Sequence, residues 1–139
     1  MDSRAVLACA AHGLIYHSLM AKYVDGFLIP IPTRNIAAYK KLAKKASKVW
    51  LDHGALAYFE TTGDDLAVKG VVSFAKVAKA KRNETVILSW IVYKSKAHRN
   101  AANKKVMEDP RIANFDPEIM PFDSKKMTYG GFKVLVEGI

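Results

Sequence analysis

SWIVYKSKAHRNAANKKVMEDPR, from Ser89 to Arg111, runs from an apolar strand into a helix that opens on a capping serine and stops before a proline. Its first residues belong to the run Thr85–Tyr93 (TVILSWIVY), which is apolar on both alternating faces. Ile87 and Ile91 lie on one face, and Val86, Leu88, Trp90 and Val92 on the other. Strands of that composition are covered on both sides. Ser95 supplies an N-cap oxygen, the helix extends to about Glu108, and Pro110 cannot continue it because it lacks an N–H. Downstream, MPFDSKKMTYGGFKVLVEG (Met120–Gly138) predicts a connector and a closing strand over Thr128–Glu137. The Gly130-Gly131 pair inside that strand predicts a bulge or a close backbone approach.

Upstream the pattern is equally regular. Tyr23–Ile31 (YVDGFLIPI) is rich in strand formers, and Pro30 and Pro32 are expected to close it, because proline cannot donate to a ladder. Thr33 or Asn35 is placed to cap a helix reaching His53 and stopped by Gly54. At about 100° per residue, Ile36, Tyr39, Leu42, Ala43, Ala46, Val49 and Trp50 share one arc. Lys40, Lys41, Lys44, Lys45 and Lys48 share the opposite arc, so the helix is strongly amphipathic. Ala55–Thr62 (ALAYFETT) reads as a strand. The segment from Leu66 to Asn83 is weakly patterned and basic, with Lys69, Lys76, Lys79, Lys81 and Arg82. Connections of that length in a compact domain are often functional or mobile.

The predicted order is β-α-β-β-α-β: an α+β, ferredoxin-like domain with a four-stranded antiparallel sheet. Two helices cover one face of such a sheet. Yet Val24 and Leu28 oppose Phe27 and Ile29 in the first strand, and Phe59 opposes Leu56 and Tyr58 in the second, so both faces are apolar. A second copy of the same sheet is the economical cover, which makes a homodimer the expected state. Burying even ~600 Å² of apolar surface per subunit contributes about 15 kcal/mol before association costs.

The chain's 139 residues fit one domain. A net charge of +9 favours anionic partners without saying anything of fold. The first 19 residues carry one Arg, one Asp and no Lys, so they contribute none of that excess. Arg4 is offset by Asp2 and the apolar run from Ala5 stops at His12, short of a secretory template. Residues 1–19 are therefore expected to be a dispensable extension, with Met20 a second start, and residues 20–139 a single domain. No apolar run approaches the ~18 residues of a membrane span. With a single cysteine, Cys9, no intrachain disulfide forms, and the expected location is the cytoplasm.

Several of these stretches together resemble the YbaA-like family of uncharacterised bacterial proteins. They are YVDGFLIPIP (Tyr23–Pro32), KVWLDHGALAYFE (Lys48–Glu60), ETVILSWIVYKSKAHRNAANKKVMEDPR (Glu84–Arg111) and MPFDSKKMTYGGFKV (Met120–Val134). The resemblance runs from Tyr23 to the C-terminus and implies a dimeric α/β-barrel, in which two ferredoxin-like sheets pack face to face. That fold serves monooxygenases, haem-handling proteins, isomerases and regulators, so it transfers no activity, and it brings no catalytic residue with it.

The candidate site residues follow from chemistry alone. Asp25 stands inside an apolar strand, where a carboxylate must find a partner or shift its pKa upward; either suits acid–base work, and a lysine pair is the structural alternative. His98 lies on the small-residue side of the second helix, with Ala101, Ala102 and Val106, and is placed to act as a general base or as a satisfied core histidine. His53 ends the first helix, where favourable interaction with terminal carbonyls explains it. Trp90, Tyr129 and Glu60 are strand residues of a size and polarity to line a ligand pocket, or to pack a core. The Lys40, Lys41, Lys44, Lys45 and Lys48 face is a candidate anion site, but no aromatic residues interleave it, which disfavours nucleic acid. The four histidines are scattered, and no phosphate-binding glycine loop or nucleophile elbow occurs, so the sequence predicts no metal and no cofactor. The expectation is a homodimer that binds, or binds and transforms, a small anionic molecule in a pocket near Asp25, Trp90, His98 and Tyr129. Beside it stand an anion-binding module on the lysine face and a ligand-free interaction protein.

Overall fold

The computed structural model describes residues 22–139; the expected extension over residues 1–19 lies outside them. In chain order the elements are β1 (Tyr23–Pro32), α1 (Ile36–Asp52), β2 (Ala57–Thr62), a short α2 (Phe74–Val77), β3 (Glu84–Tyr93), α3 (Lys96–Glu108), a short α4 (Pro110–Ala113) and β4 (Thr128–Lys133). With the two short helices set aside, this is the β-α-β-β-α-β plan, α+β, with every strand pair antiparallel and the order β2-β3-β1-β4. The two ten-residue strands take the centre because their residues are apolar on both sides; the shorter β2 and β4 take the edges.

Helices α1 and α3 pack on one face. Ile29, Ile31 and Ile87 meet Tyr39 and Ala43 of α1, and Ile91 and Tyr93 meet Ala102 of α3 with Trp50 and Tyr58 against them. The lysine arc of α1 points to solvent. On the other face, Leu28 and Val86 are buried beneath Ala78, with Leu66, Ala75 and Ala80 around them. The weakly patterned basic connection is thus a partial cover for the second face. The rest of that face is open: Phe59 is 49% and Phe132 62% exposed, and Trp90 stacks on Phe59 at 5.1 Å between ring centroids.

Three local expectations change, and the stop before Pro110 holds. Strand β1 runs one residue past the expected Ile31, through both Pro30 and Pro32, because β4 pairs only as far as Leu28; beyond it β1 has one partner strand, where a missing N–H is tolerated. Neither Thr33 nor Asn35 caps α1 with its side chain; a short 3-10 turn over Thr33–Asn35 precedes the helix, and Asn35 Nδ2 donates instead to the Pro121 carbonyl at 2.8 Å. Pro110 ends α3 and also begins α4, whose N-cap is Asp109. Strand β4 ends at Lys133 rather than Glu137, because Lys133 already faces Tyr23, the first residue of β1.

The glycine pair forms no bulge. Gly26 faces Gly130 and Asp25 faces Gly131 in an unbroken ladder. On the open face the Phe132 ring lies over Gly26 and Gly130. On the helix face a Cβ at Gly131 would collide with the Tyr23 phenol, so glycine here lets Tyr23 lie across β4.

Candidate functional site

The register of β1 carries Asp25 into the helix-covered face, between Tyr23 and Phe27 on the same side. The carboxylate is 1% exposed. Its partner is Arg99, on the α3 stripe that also presents Ala102, Asn103 and Val106. Arg99 Nη1 donates to Asp25 Oδ1 at 2.8 Å and to the Tyr129 hydroxyl at 2.6 Å, and Nη2 reaches the Tyr23 hydroxyl at 3.4 Å. The guanidinium lies over the Tyr23 ring, 4.9 Å from its centroid. Asn103 donates to Asp25 Oδ2 at the limit of hydrogen bonding, 3.5 Å, and accepts from Tyr93 and from Trp50 Nε1 at 3.0 and 3.2 Å. Arg99 Nε is buried without a hydrogen-bond partner among the described residues. Burial pushes the Asp25 pKa above its ordinary value, with the Arg99 charge as the largest opposing influence. The cluster therefore fastens β1, β4 and α3 through one ion pair that burial partly penalises.

Asp25 and Tyr129 meet; the other two members of the expected pocket do not join them. Trp90 faces Gly26 and Phe59 in the ladder, which puts it on the open face, separated from Asp25 by the sheet. His98 sits at the start of α3, where its backbone N–H donates to Ser95 Oγ at 3.0 Å and its Nδ1 accepts from the Lys94 N–H at 2.9 Å. Its Nε2 packs on Gly54, a residue in the left-handed region at φ +105°, where a Cβ would come within 3.1 Å of it. The ring is edge-on to Tyr93. His98 thus clamps the β3–α3 turn.

His53 likewise has a side-chain partner that the dipole argument did not require. Its Nε2 lies 2.8 Å from Asp109 Oδ2, and Arg111 bridges Asp109 and Asp52 at 2.8 and 2.9 Å. The clasp ties the end of α1 to the α3–α4 junction. Hydrogen bonds from Arg111, then His53, hold the Asp109 carboxyl well below the usual carboxylate range. A depressed folded pKa contributes stability above the ordinary value, here 3.8, and that contribution is lost as the pH falls through the folded value. Asp109→Asn should accordingly flatten the acid limb of a melting-temperature profile recorded below that pH by circular dichroism. An acid limb identical to wild type would remove Asp109 from the account.

Glu60 lies elsewhere, in an open-sided groove of about 560 Å³ between α1 and the edge strand β2. The expected residues Glu60, Lys40 and Lys44 line it together with Tyr39 and Tyr58. Tyr39 donates to Glu60 Oε2 at 2.6 Å and Tyr58 to Oε1 at 2.8 Å. Both phenols are raised well above their ordinary 10.0, by burial first and by the Glu60 charge second, so they stay donors at any working pH. Ile36, Ala43 and Ile87 give the groove an apolar floor. Lys41, Lys45 and Lys48 are exposed and do not line it.

Sequence reasoning missed Arg99, Asn103 and the two tyrosines. The signal for Arg99 was present: it stands on the stripe of α3 with Ala102 and Val106, and Asp25 needed a cation. Among the described residues no cluster of His, Cys, Asp and Glu has the arrangement of a metal site, and no helix is long and apolar enough to cross a membrane.

Comparison with known proteins matches residues 22–124 to a family described as "Protein of unknown function (DUF1428)". The "Uncharacterized protein YbaA" of Escherichia coli strain K12 is 44% identical over 116 residues, covering 84% of this chain and 98% of that protein. The protein of the same description from Shigella flexneri matches to the same extent. Among solved structures, an uncharacterized NIPSNAP domain protein from Burkholderia xenovorans superposes with a TM-score of 0.49 at 12% identity, over 79% of this chain and 91% of that one.

Proposed function

The chain belongs to the DUF1428 family of proteins of unknown function and is similar to YbaA, and from that premise we propose that it is a homodimer whose α1–β2 groove binds a small anionic molecule. The observation that carries this reading is the groove itself. Its volume of about 560 Å³ is in the range of small-molecule sites, and a few polar groups converge over an apolar floor. Lys40 and Lys44, one turn apart on α1, have no ion pair among the described residues, so the α1 side of the groove presents positive charge. The net charge of +9 adds long-range attraction for anions. In this reading Asp25 and Arg99 hold the scaffold, and the open face with Phe59, Trp90 and Phe132 receives the second copy.

The test is calorimetric titration of the full chain with succinate, citrate and inorganic phosphate at low ionic strength. At least one should bind, and the double variant Lys40→Gln, Lys44→Gln should weaken it about ten-fold or more, the scale of one charge-assisted contact. Equal affinity in that variant would overturn the assignment to the groove.

A further inference from the structure

We infer that the groove's ligand is amino acid-like, carrying an anionic group at one end for Lys40 and Lys44 and a protonated amine at the other for Glu60. This rests on the proposed binding of an anionic group at the lysine side of the groove and adds a cationic group at the ligand's other end. The two walls of the groove differ in kind. The α1 wall offers two ammonium groups one turn apart, with Ser47 a further turn along. The strand wall offers one carboxylate, half-buried, whose described partners are both neutral phenols.

Each carboxylate oxygen has two acceptor directions, and Tyr39 and Tyr58 occupy one apiece. The phenols therefore fix the orientation of Glu60 without neutralising its charge, and acceptor capacity remains on both oxygens. A partly desolvated carboxylate is stabilised most by a cationic donor, whose hydrogen bonds are about twice as strong as neutral ones. No such cation contacts Glu60 among the described residues. A ligand with two anionic ends would place one of them against Glu60, and a diamine would place one amine against the lysines; like charges are penalised in both. A molecule of mixed charge meets both walls. The floor of Ile36, Ala43 and Ile87 suits the methylenes between its ends.

The probes are linear amino carboxylates (glycine, β-alanine, γ-aminobutyrate and ε-aminocaproate), each titrated beside a dicarboxylate and a diamine of matching length. One amino carboxylate should bind about ten-fold tighter than both of its counterparts, the size of one charge-assisted hydrogen bond. Glu60→Gln should erase that preference while leaving dicarboxylate binding in place, and Lys40→Gln with Lys44→Gln should weaken both. If dicarboxylates bind as tightly as amino carboxylates at every length, this inference falls and the anion-binding reading stands. If no probe binds the wild-type chain, both fall. Should Glu60→Gln fail to fold, the wild-type series alone still decides the matter.

Discussion

Arg99→Met should cost the fold about 3–5 kcal/mol, because it strands the Asp25 carboxylate in a site with 1% exposure. Domains of this size have total stabilities of roughly 5–15 kcal/mol, so the loss takes about a fifth or more of what holds the chain folded. Urea unfolding reads it directly as a lower midpoint. The methionine fills much of the volume of the arginine stem, so packing changes little and the electrostatic part dominates. The guanidinium is the main influence that keeps the Asp25 pKa from rising further, so the single variant should also lose stability more steeply as the pH rises from the ordinary carboxylate value of 3.8. The sign follows from the raised folded pKa: the folded state holds the proton more tightly, and ionisation on raising the pH weakens it.

The double variant Asp25→Asn, Arg99→Met separates this account from simple loss of packing. Neutralising both partners removes the stranded charge, while asparagine keeps hydrogen-bonding capacity toward Asn103 and Tyr129. Most of the lost stability should return. A single variant that costs less than about 1 kcal/mol, the scale of an exposed pair, would contradict the assignment of Asp25–Arg99 as a buried fastening.

Phe132→Asp should split the proposed dimer. In light scattering after gel filtration at micromolar concentration, wild type is expected at twice the 15.4 kDa chain mass and the variant at 15.4 kDa. Phe132 is 62% exposed on the edge strand β4 and covers Gly26 and Gly130, so its replacement uncovers backbone and puts a charge on the open face beside β1. Buried aromatic anchors in interfaces are worth about 2–4 kcal/mol, a thirty-fold to thousand-fold weakening of association. A monomeric wild type would sink the dimer while leaving the groove untouched, since Phe132 and Glu60 lie on opposite faces of the sheet.

The architecture was legible because its signals are local. The arc of Ile36, Tyr39, Ala43 and Val49, the cap at Ser95 and the stop at Gly54 each need only a few neighbouring residues. The relation between strands was not legible in the same way. Strands β1 and β3 are apolar on both sides, so alternation gives the parity within each strand but no phase between them. That is why Trp90 could be grouped with Asp25: only the pairing of Gly26 with Trp90 assigns them to opposite faces. The Glu60 site depends on Tyr39 and Tyr58, one from a helix and one from a strand, and no single-element pattern joins those. The shared stripe of Arg99 and Asn103 with Ala102 and Val106 was within reach of sequence, and its meaning depended on knowing which strand lay beneath it.

The sheet separates the chain's only two tryptophans. Trp50 lies among α1, Tyr58 and Asn103 on the helix side, while Trp90 lies against Phe59 on the other. The protein thus carries two built-in fluorophores, one for each surface. With Trp50 replaced by phenylalanine, emission reports on the surroundings of Trp90, and a blue shift with rising concentration records water leaving that side. With Trp90 replaced instead, quenching or enhancement at Trp50 follows the neighbourhood of α1 as probes are added. The proposed assembly and the proposed ligand uptake would give separate optical signals from one unlabelled chain.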